Sequence, residues 1–420
     1  MKKIRFMLAM LLVVSLLVPP TIQAEEVAEE SEIFLGTVMM PWEPLELNKK
    51  GETTLTWAGN YNAPEGVTIT YEIELADNAE FSDAQKFVSD NTSLTLNKSV
   101  FGTNGGKFYV RIRFCASTGV EPTTYGEWSE PKEQVFVKIN KKNFPGIYKI
   151  LKNGSKQNNR DLTGYEKVTH DKNGDGWMDP SEIKQLLKLS TVNESKKKNG
   201  KYYVIKAPKV NSLKGIEYLT ELSIIHLSRY SGTKVELSKN KITFLNLTGV
   251  TSKKITVIAP DATSISIQPE YGTKLKKIDV SRCDKVVDLL VYGSKGTKTL
   301  KLPKGKNQLK VLSTSDLGVK TLNLNAYKNL QQLYVYDSKV KNVKVNKCKN
   351  LRYTYFYFCS KMKSLNLKSN KKLRGADFYR SPGLTNSSVK KPKGAKVTWN
   401  KGKWWYSTKA YKKDMKKLYR

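Results

Sequence analysis

Histidine and cysteine are nearly missing from this chain of 420 residues. Two histidines, His170 and His226, and four cysteines, Cys115, Cys283, Cys348 and Cys359, are too few for a Cys/His metal cluster or a disulfide scaffold. G-x-S-x-G, H-E-x-x-H and a phosphate-binding glycine loop are also missing, so the usual signatures of nucleophilic, zinc and nucleotide chemistry are not there. Acids are scarce in the second half, with 12 Asp/Glu against 48 Lys/Arg over residues 201–420. A hydrolase built on paired carboxylates needs two acids in one cleft, which so thin a scatter does not offer. No catalytic constellation emerges, and the expectation is a protein that is not an enzyme. There is no Arg-Gly-Asp loop and no LPxTG-like sorting motif near the C-terminus.

Long apolar runs are missing too, with one exception. MKKIRF is followed by MLAMLLVVSLLV and then PPTIQA. A basic start, a short apolar core and a small residue at Ala24 read as a secretory signal peptide cleaved near Ala24; the run is shorter than the ~20 residues of a membrane span. The expectation is an exported chain, secreted or at the cell surface, with no transmembrane segment after cleavage.

The excess charge is confined to one half. Residues 201–420 carry +36 (48 − 12), and residues 1–200 carry −1 (25 − 26). Such a field attracts polyanions, among them anionic wall polymers and acidic glycans, but lysines also keep sheet edges soluble and unpaired. Both readings stay open.

From Leu275 to Trp399 an apolar pair recurs, beginning at Ile278, Leu289, Leu300, Leu312, Leu322, Leu333, Val343, Thr354, Leu365 and Ala376, in steps of 11, 11, 12, 10, 11, 10, 11, 11 and 11 residues. Each half-unit has the form L-x-x-L-x-L or close to it, as in LQQLYV (330–335), VKNVKV (340–345) and MKSLNL (362–367). Period-two alternation over so few residues means a short strand with one face buried, and a fixed unit of two half-units means a solenoid. The spacing resembles the leucine-rich repeats of secreted bacterial proteins, with the corner Asn uneven, at Asn325, Asn346 and Asn370. Cys283 and Cys348 share a phase three repeats apart, about 14 Å at ~4.8 Å per strand, so free buried thiols are expected.

Between Pro41 and Ile139 the chain reads as strands: 45–47, 53–57, 67–75, 84–89, 93–96, 106–114 and 133–139. Strands separated by turn signals over this length predict a β-sandwich. TLTW with Trp57, YVRIR with Tyr109 as a candidate tyrosine corner, and YGEWSEP before the last strand resemble a fibronectin type III domain, a fold that more often spaces than acts.

NFPGIYKILKN (143–153) then suggests a helix, and residues 171–182 read D-K-N-G-D-G-W-M-D-P-S-E. This is the calcium-loop pattern D-x-[DN]-x-[DN]-G-x5-E. Asp171, Asn173 and Asp175 would give side-chain oxygens, Trp177 its carbonyl, Asp179 a direct or water-borne contact, and Glu182 two oxygens, as a hard dication requires. Asp179 can also cap a helix with Pro180 first and Glu182 third, running on through EIKQLLKLS with Ile183, Leu186, Leu187 and Leu189 on one face. A single loop of this kind suits a structural calcium rather than a sensor. NFP, the calcium loop and then LKGIEYLTEL (213–222) resemble the entry of secreted bacterial leucine-rich repeat surface proteins, where such a segment caps the first repeat.

The expected organisation is mostly β: signal peptide 1–24, acidic linker 25–40, fibronectin-like domain 41–139, helical EF-hand-like cap 140–200, leucine-rich solenoid 201–400 and basic C-terminal cap 401–420, with Trp404 and Trp405 over the last strand. On the strands near 289, 312, 333, 354 and 376 the outward positions form a stripe rich in tyrosine: Tyr292, Tyr334, Tyr336, Tyr355, Tyr357 and Tyr379, joined by Tyr353, with Leu290, Ser313, Ser315 and Asp377 between them. The alternate strands offer Asp279, Lys301, Asn323, Lys344 and Asn366. Stacked tyrosines suit sugar rings and peptides, though cross-strand packing alone also explains them. The functional expectation is an adhesion or binding protein, monomeric, that recognises a protein or an anionic glycan or wall polymer through this face. The alternatives are a wall or biofilm component held by charge alone, and a polyanion or nucleic-acid binder; no specific nucleic-acid module is present.

Overall fold

The computed structural model describes residues 33–399, apart from 42, 121, 159–164, 200 and 306–307. The expected signal peptide, most of the expected acidic linker and the C-terminal segment with Trp404 and Trp405 therefore lie outside the described residues. Within them, no helix is long and apolar enough to cross a membrane.

The first layer is an antiparallel sheet whose strands run Trp177–Met178, Lys132–Lys138, Gly105–Ser117, Thr68–Ala76, Gln85–Ser89, with Thr124–Tyr125 on the side. Two short ladders face it, Glu52–Thr56 with Ser93–Asn97 and Phe34–Met39 with Ala58–Asn62. Trp57, Tyr71, Ile73, Val110, Ile112, Phe114 and Phe136 fill the space between. The strand Phe34–Met39 falls in the expected linker, and 45–47 forms no strand. Tyr109 is not a buried corner: it is half-buried, and its hydroxyl donates to Glu133 Oε2 at 3.3 Å. In a period-two strand it shares a face with Arg111 and Arg113, while Phe108, Val110 and Ile112 point inward. Those arginines meet Glu74 and Glu72 at 2.6 and 2.5 Å and stack on Trp128.

The second body is a parallel coil. Ten strands stack in chain order from Lys188–Thr191 to Lys396–Trp399. Their register is direct: Leu312 faces Leu289 and Leu333, and Thr354 faces Leu333 and Ala376. The intervening half-units form a second parallel sheet, Lys234–Glu236, Lys254–Ile258, Lys277–Arg282 and Thr299–Lys301, continued by the pairs Thr321–Asn323 with Asn342–Lys344 and Leu365–Asn366 with Val389–Lys390. The 11-residue step is thus the passage from one sheet to the other, and two steps make one coil. The apolar residues of both sheets meet in a single continuous core.

Two boundaries differ from expectation. The helix after the loop 171–179 is Pro180–Gln185 and stops there. Leu187 is 55% exposed, and Lys188–Thr191 is already the first rung, paired in parallel with Ile224–Leu227. The neighbouring strand satisfies the backbone of Lys188–Thr191, so tertiary pairing overrides the helical pattern of its leucines. The corner ladder is as expected at Asn370 but not at Asn325 or Asn346. Asn240 and Asn370 are buried and donate to the carbonyls of Ile216 and of Val345 and Cys348. In other coils Cys283 and Cys348 hold that place, with thiols aimed at the Val257 and Leu324 carbonyls and pushed up to about 12 by burial. Asn325 is half-buried and Asn346 exposed, one position past the inward strand residue. All four cysteines are free and buried.

Candidate functional site

Two places gather the residues singled out above. The first is the loop 171–182, wedged between the sandwich and the first coil. Gly174 and Gly176 take positive φ (75° and 80°), which turns the chain sharply. Asp171 Oδ2 accepts from Gly176 N at 3.2 Å, Asn173 Oδ1 from Asp175 N at 3.0 Å, and Asp175 Oδ1 from Trp177 N at 2.9 Å. The capping box is complete, because Asp179 accepts from Glu182 N while Glu182 accepts from Asp179 N. Neighbouring chain clamps the loop. Leu47 N donates to Asp179 Oδ2, Asn173 Nδ2 donates to the Leu47 carbonyl, and Ile139 N donates to the Gly176 carbonyl. Trp177 and Met178 extend the sandwich sheet beside Lys138 and Val137. Gly105 makes room for the Trp177 ring, since a Cβ there would lie 2.5 Å from it and 2.0 Å from the Phe136 carbonyl.

The carboxylates of this loop are half-engaged. Among the described residues, no three His, Cys, Asp or Glu side chains already converge as metal ligands do. Glu182 instead accepts from Lys172 N at 2.6 Å. Yet Asp171 Oδ1 and Asp175 Oδ2 are buried with no hydrogen-bond partner, and their charge is offset only in part, by Lys98 Nζ 3.8 Å from Asp175 Oδ2 and by the positive charge of Lys152 near Asp171. Burial raises both aspartates. Burial, then the charge of Asp179, pushes the Glu182 carboxyl up to about 8. Buried anions without donors cost free energy, and a hard dication at the loop would supply the missing charge. A side-chain count misses part of such a donor set, because Asn173 and the Trp177 carbonyl belong to it.

The second place is the outer face of the ten-stranded sheet. Tyr353, Tyr355 and Tyr357 do not project as expected; all three are buried. Rungs one strand apart bring their rings into mutual contact. Tyr334 stacks on Tyr355 at 4.7 Å with the planes 5° apart, and Tyr357 meets Tyr336 and Tyr379 at 5.5 Å. The Tyr357 hydroxyl donates to buried Asp377 at 2.6 Å. These three form the cluster's interior, with Tyr334, Tyr336 and Tyr379 half-buried at its rim.

What remains open is a hollow of about 590 Å³ beside that cluster, lined by Tyr292, Ser313, Ser315, Tyr336, Asp337 and Phe358. Two small serines form its floor and aromatic rings its walls. Ser315 donates to Asp316 Oδ2 at 2.8 Å, and Lys295 pairs with Asp337 at 3.1 Å. The sequence pointed to Tyr292 and Tyr336 but not to Asp337 or Phe358, which sit on the turn. Their signal is periodic. Asp316, Asp337, Phe358 and Arg380 all take positive φ (55°, 37°, 57° and 49°) at the end of successive rungs. A left-handed Phe is costly, and such strain collects at working surfaces.

Phe358 is 42% exposed and touches Tyr379 edge-on at 5.6 Å. Phe358→Gly relieves about 1–2 kcal/mol of left-handed strain, and glycine's backbone entropy and the lost ring contact return about the same amount. A thermal melt should therefore barely move, while ligand capture by the hollow drops. A large loss of stability would mean that the ring is packing and not surface.

No protein-family model matches the chain, and no curated protein matches it. Among solved structures, an internalin from Listeria monocytogenes is similar at 13% identity and a TM-score of 0.23, over 62% of this chain and 93% of that one.

Proposed function

We propose that the chain is an exported binding protein of the cell surface or secreted medium, which takes a protein or glycan partner at the hollow between Tyr292 and Tyr336. The observation that carries this reading is the hollow itself: a rigid parallel sheet presents half-exposed aromatic walls over a serine floor. Flat rings with hydroxyls suit sugar faces and peptide side chains. Serines on the floor leave space that the tyrosines fill one and two rungs further on. The basic, apolar start of the sequence supports export, and the antiparallel sandwich suits a fibronectin-like spacer ahead of the repeats.

In the same reading the loop 171–182 is a structural calcium site. Asp171, Asn173, Asp175, the Trp177 carbonyl, Asp179 and Glu182 would hold the ion. Bound calcium neutralises buried carboxylates where the sandwich and the first coil meet. The residues do the rest: Gly176 turns the loop, Asp179 caps the helix, and Trp177 and Met178 fasten it to the sheet.

The test is binding of Tyr292→Ala/Tyr336→Ala to an array of glycans and surface proteins at two salt concentrations. The double variant should lose captured partners at least tenfold while still folding, its melt lowered only by the lost Tyr336–Tyr357 ring contact of about 0.5–1.5 kcal/mol. Unchanged capture by a folded variant removes the hollow as the site. Binding that vanishes at high salt in both proteins would favour retention by charge alone.

A further inference from the structure

A second surface lies at the corner where the chain enters the second sheet. A lysine stands at this point in six successive coils: Lys253, Lys276, Lys298, Lys320, Lys341 and Lys363, separated by 23, 22, 22, 21 and 22 residues. The stacking is direct. Lys276 N donates to the Lys253 carbonyl at 2.7 Å, Lys298 N to the Lys276 carbonyl at 3.1 Å, and Lys341 N to the Lys320 carbonyl at 2.8 Å. The residue before each lysine is buried, from Ser252 and Leu275 through to Val340 and Met362. Each lysine stands one or two residues before a strand of the second sheet, and all six are exposed.

These charges have no internal counterpart. Among the described residues none of the six makes an ion pair, whereas the nearby Lys277 and Lys301 both engage Asp279, at 3.5 and 3.6 Å. Five steps of ~4.8 Å make a line of about 24 Å. Successive backbone positions along the row, ~4.8 Å apart, lie within the Debye length of about 8 Å at physiological salt. Solubility calls for exposed lysines but not for their alignment in one row, and an extended polyanion laid along the row would relieve all of them together.

We infer that this lysine row binds a linear acidic polysaccharide running parallel to the solenoid axis. The row is a ridge on a corner and not a groove. The residues beside it on the strands include Thr299, Thr321 and Asn342, which offer hydroxyl and amide groups to sugar hydroxyls, carboxylates and sulfates. No aromatic ring stands on the row or directly after it, whereas single-stranded nucleic acid is held by stacking its bases on such rings. This surface is separate from the hollow, and its test leaves Tyr292 and Tyr336 intact.

The probe is heparin, measured by titration across a salt series. Lys276→Gln/Lys298→Gln/Lys320→Gln/Lys341→Gln removes four charges from the row. Lys184→Gln/Lys214→Gln/Lys239→Gln/Lys396→Gln removes four exposed charges elsewhere, so net charge is matched. The row variant should bind at least tenfold more weakly at physiological salt. Its slope of log affinity against log salt should fall by about three, on the order of 0.7–0.9 per lost charge. The control should change much less. Arginine at the same four positions should keep binding, and Lys298→Gln/Lys320→Gln should fall midway, which separates loss of charge from loss of fold. Equal weakening of the control would reduce the row to net charge and overturn the inference. So would unchanged binding of the row variant, or tighter row-dependent binding of a single-stranded oligonucleotide than of heparin.

Discussion

Replacing Phe356 by alanine should cost about 3–5 kcal/mol, the range for emptying a fully buried aromatic site. The side chain is 0% exposed and stacks on Phe378 at 5.9 Å, which in turn lies 4.9 Å from Trp399. This column of rings closes the last three rungs of the coil. A solenoid joins each coil only to its neighbours, so the damage should stay local. Hydrogen exchange should show amides of 353–399 losing protection first, while the strands 188–267 keep most of theirs. A uniform loss of protection along the chain would mean that the coil unfolds as one unit, contrary to this account. Urea titration should report the same change as a lower midpoint or an early separate transition.

Calcium should act at the opposite end. With a dissociation constant of the extracellular class, about 10⁻⁴–10⁻³ M, roughly 10 mM calcium would add about 1.4–2.7 kcal/mol of stability. Asp171→Asn/Asp175→Asn should abolish that gain. The same variant should be no less stable than wild type in chelator, because the amide oxygens can still accept from Gly176 N and Trp177 N while the two buried negative charges are gone. Loss of calcium response without loss of calcium-free stability is the signature of a cation loop. If the carboxylates are only parts of a turn, removing them should destabilise the protein equally with and without calcium. Magnesium should substitute poorly, since it demands a tighter octahedral shell. Because Leu47 N and Ile139 N donate to the loop and Ser181 N donates to the Leu45 carbonyl, calcium should also protect the Leu47, Ile139 and Ser181 amides from exchange.

The repeat was legible because it is written in period. The pairs at Leu289, Leu312, Leu333, Thr354 and Ala376 fell into one sheet, and those at Ile278, Leu300, Leu322, Val343 and Leu365 into the other, as an 11-residue half-unit requires. The capping box at Asp179 and Glu182 was equally readable, since it depends on residues three apart. Tyr109 was misplaced by parity, a local rule that its own neighbours Arg111 and Arg113 already stated. Leu187 and Leu189 could not be settled locally. The same leucines suit a helix or a rung, and only pairing with Ile224–Leu227 decides between them.

The outward tyrosines mark where sequence reading stops. Alternation places Tyr334, Tyr355 and Tyr357 on one face of a sheet, but their exposure depends on what stands one rung away. Stacked rings bury one another where tyrosine follows tyrosine, and a hollow opens where Ser313 and Ser315 follow Leu290 and Tyr292. Phe358 enters the site from a turn whose left-handed backbone no residue preference announces, since the same place holds Asp316, Asp337 and Arg380 in other coils.

By itself the sequence determined the coil, its period and the capping residues of the loop 171–182, because these depend on spacing along one chain. Only the tertiary structure decided which tyrosines are covered, which backbone amides hold the Glu182 carboxylate and which lysines stack rung on rung. Those properties arise between coils about 21 to 23 residues apart, where rung-to-rung distance, not order along the chain, sets what touches what.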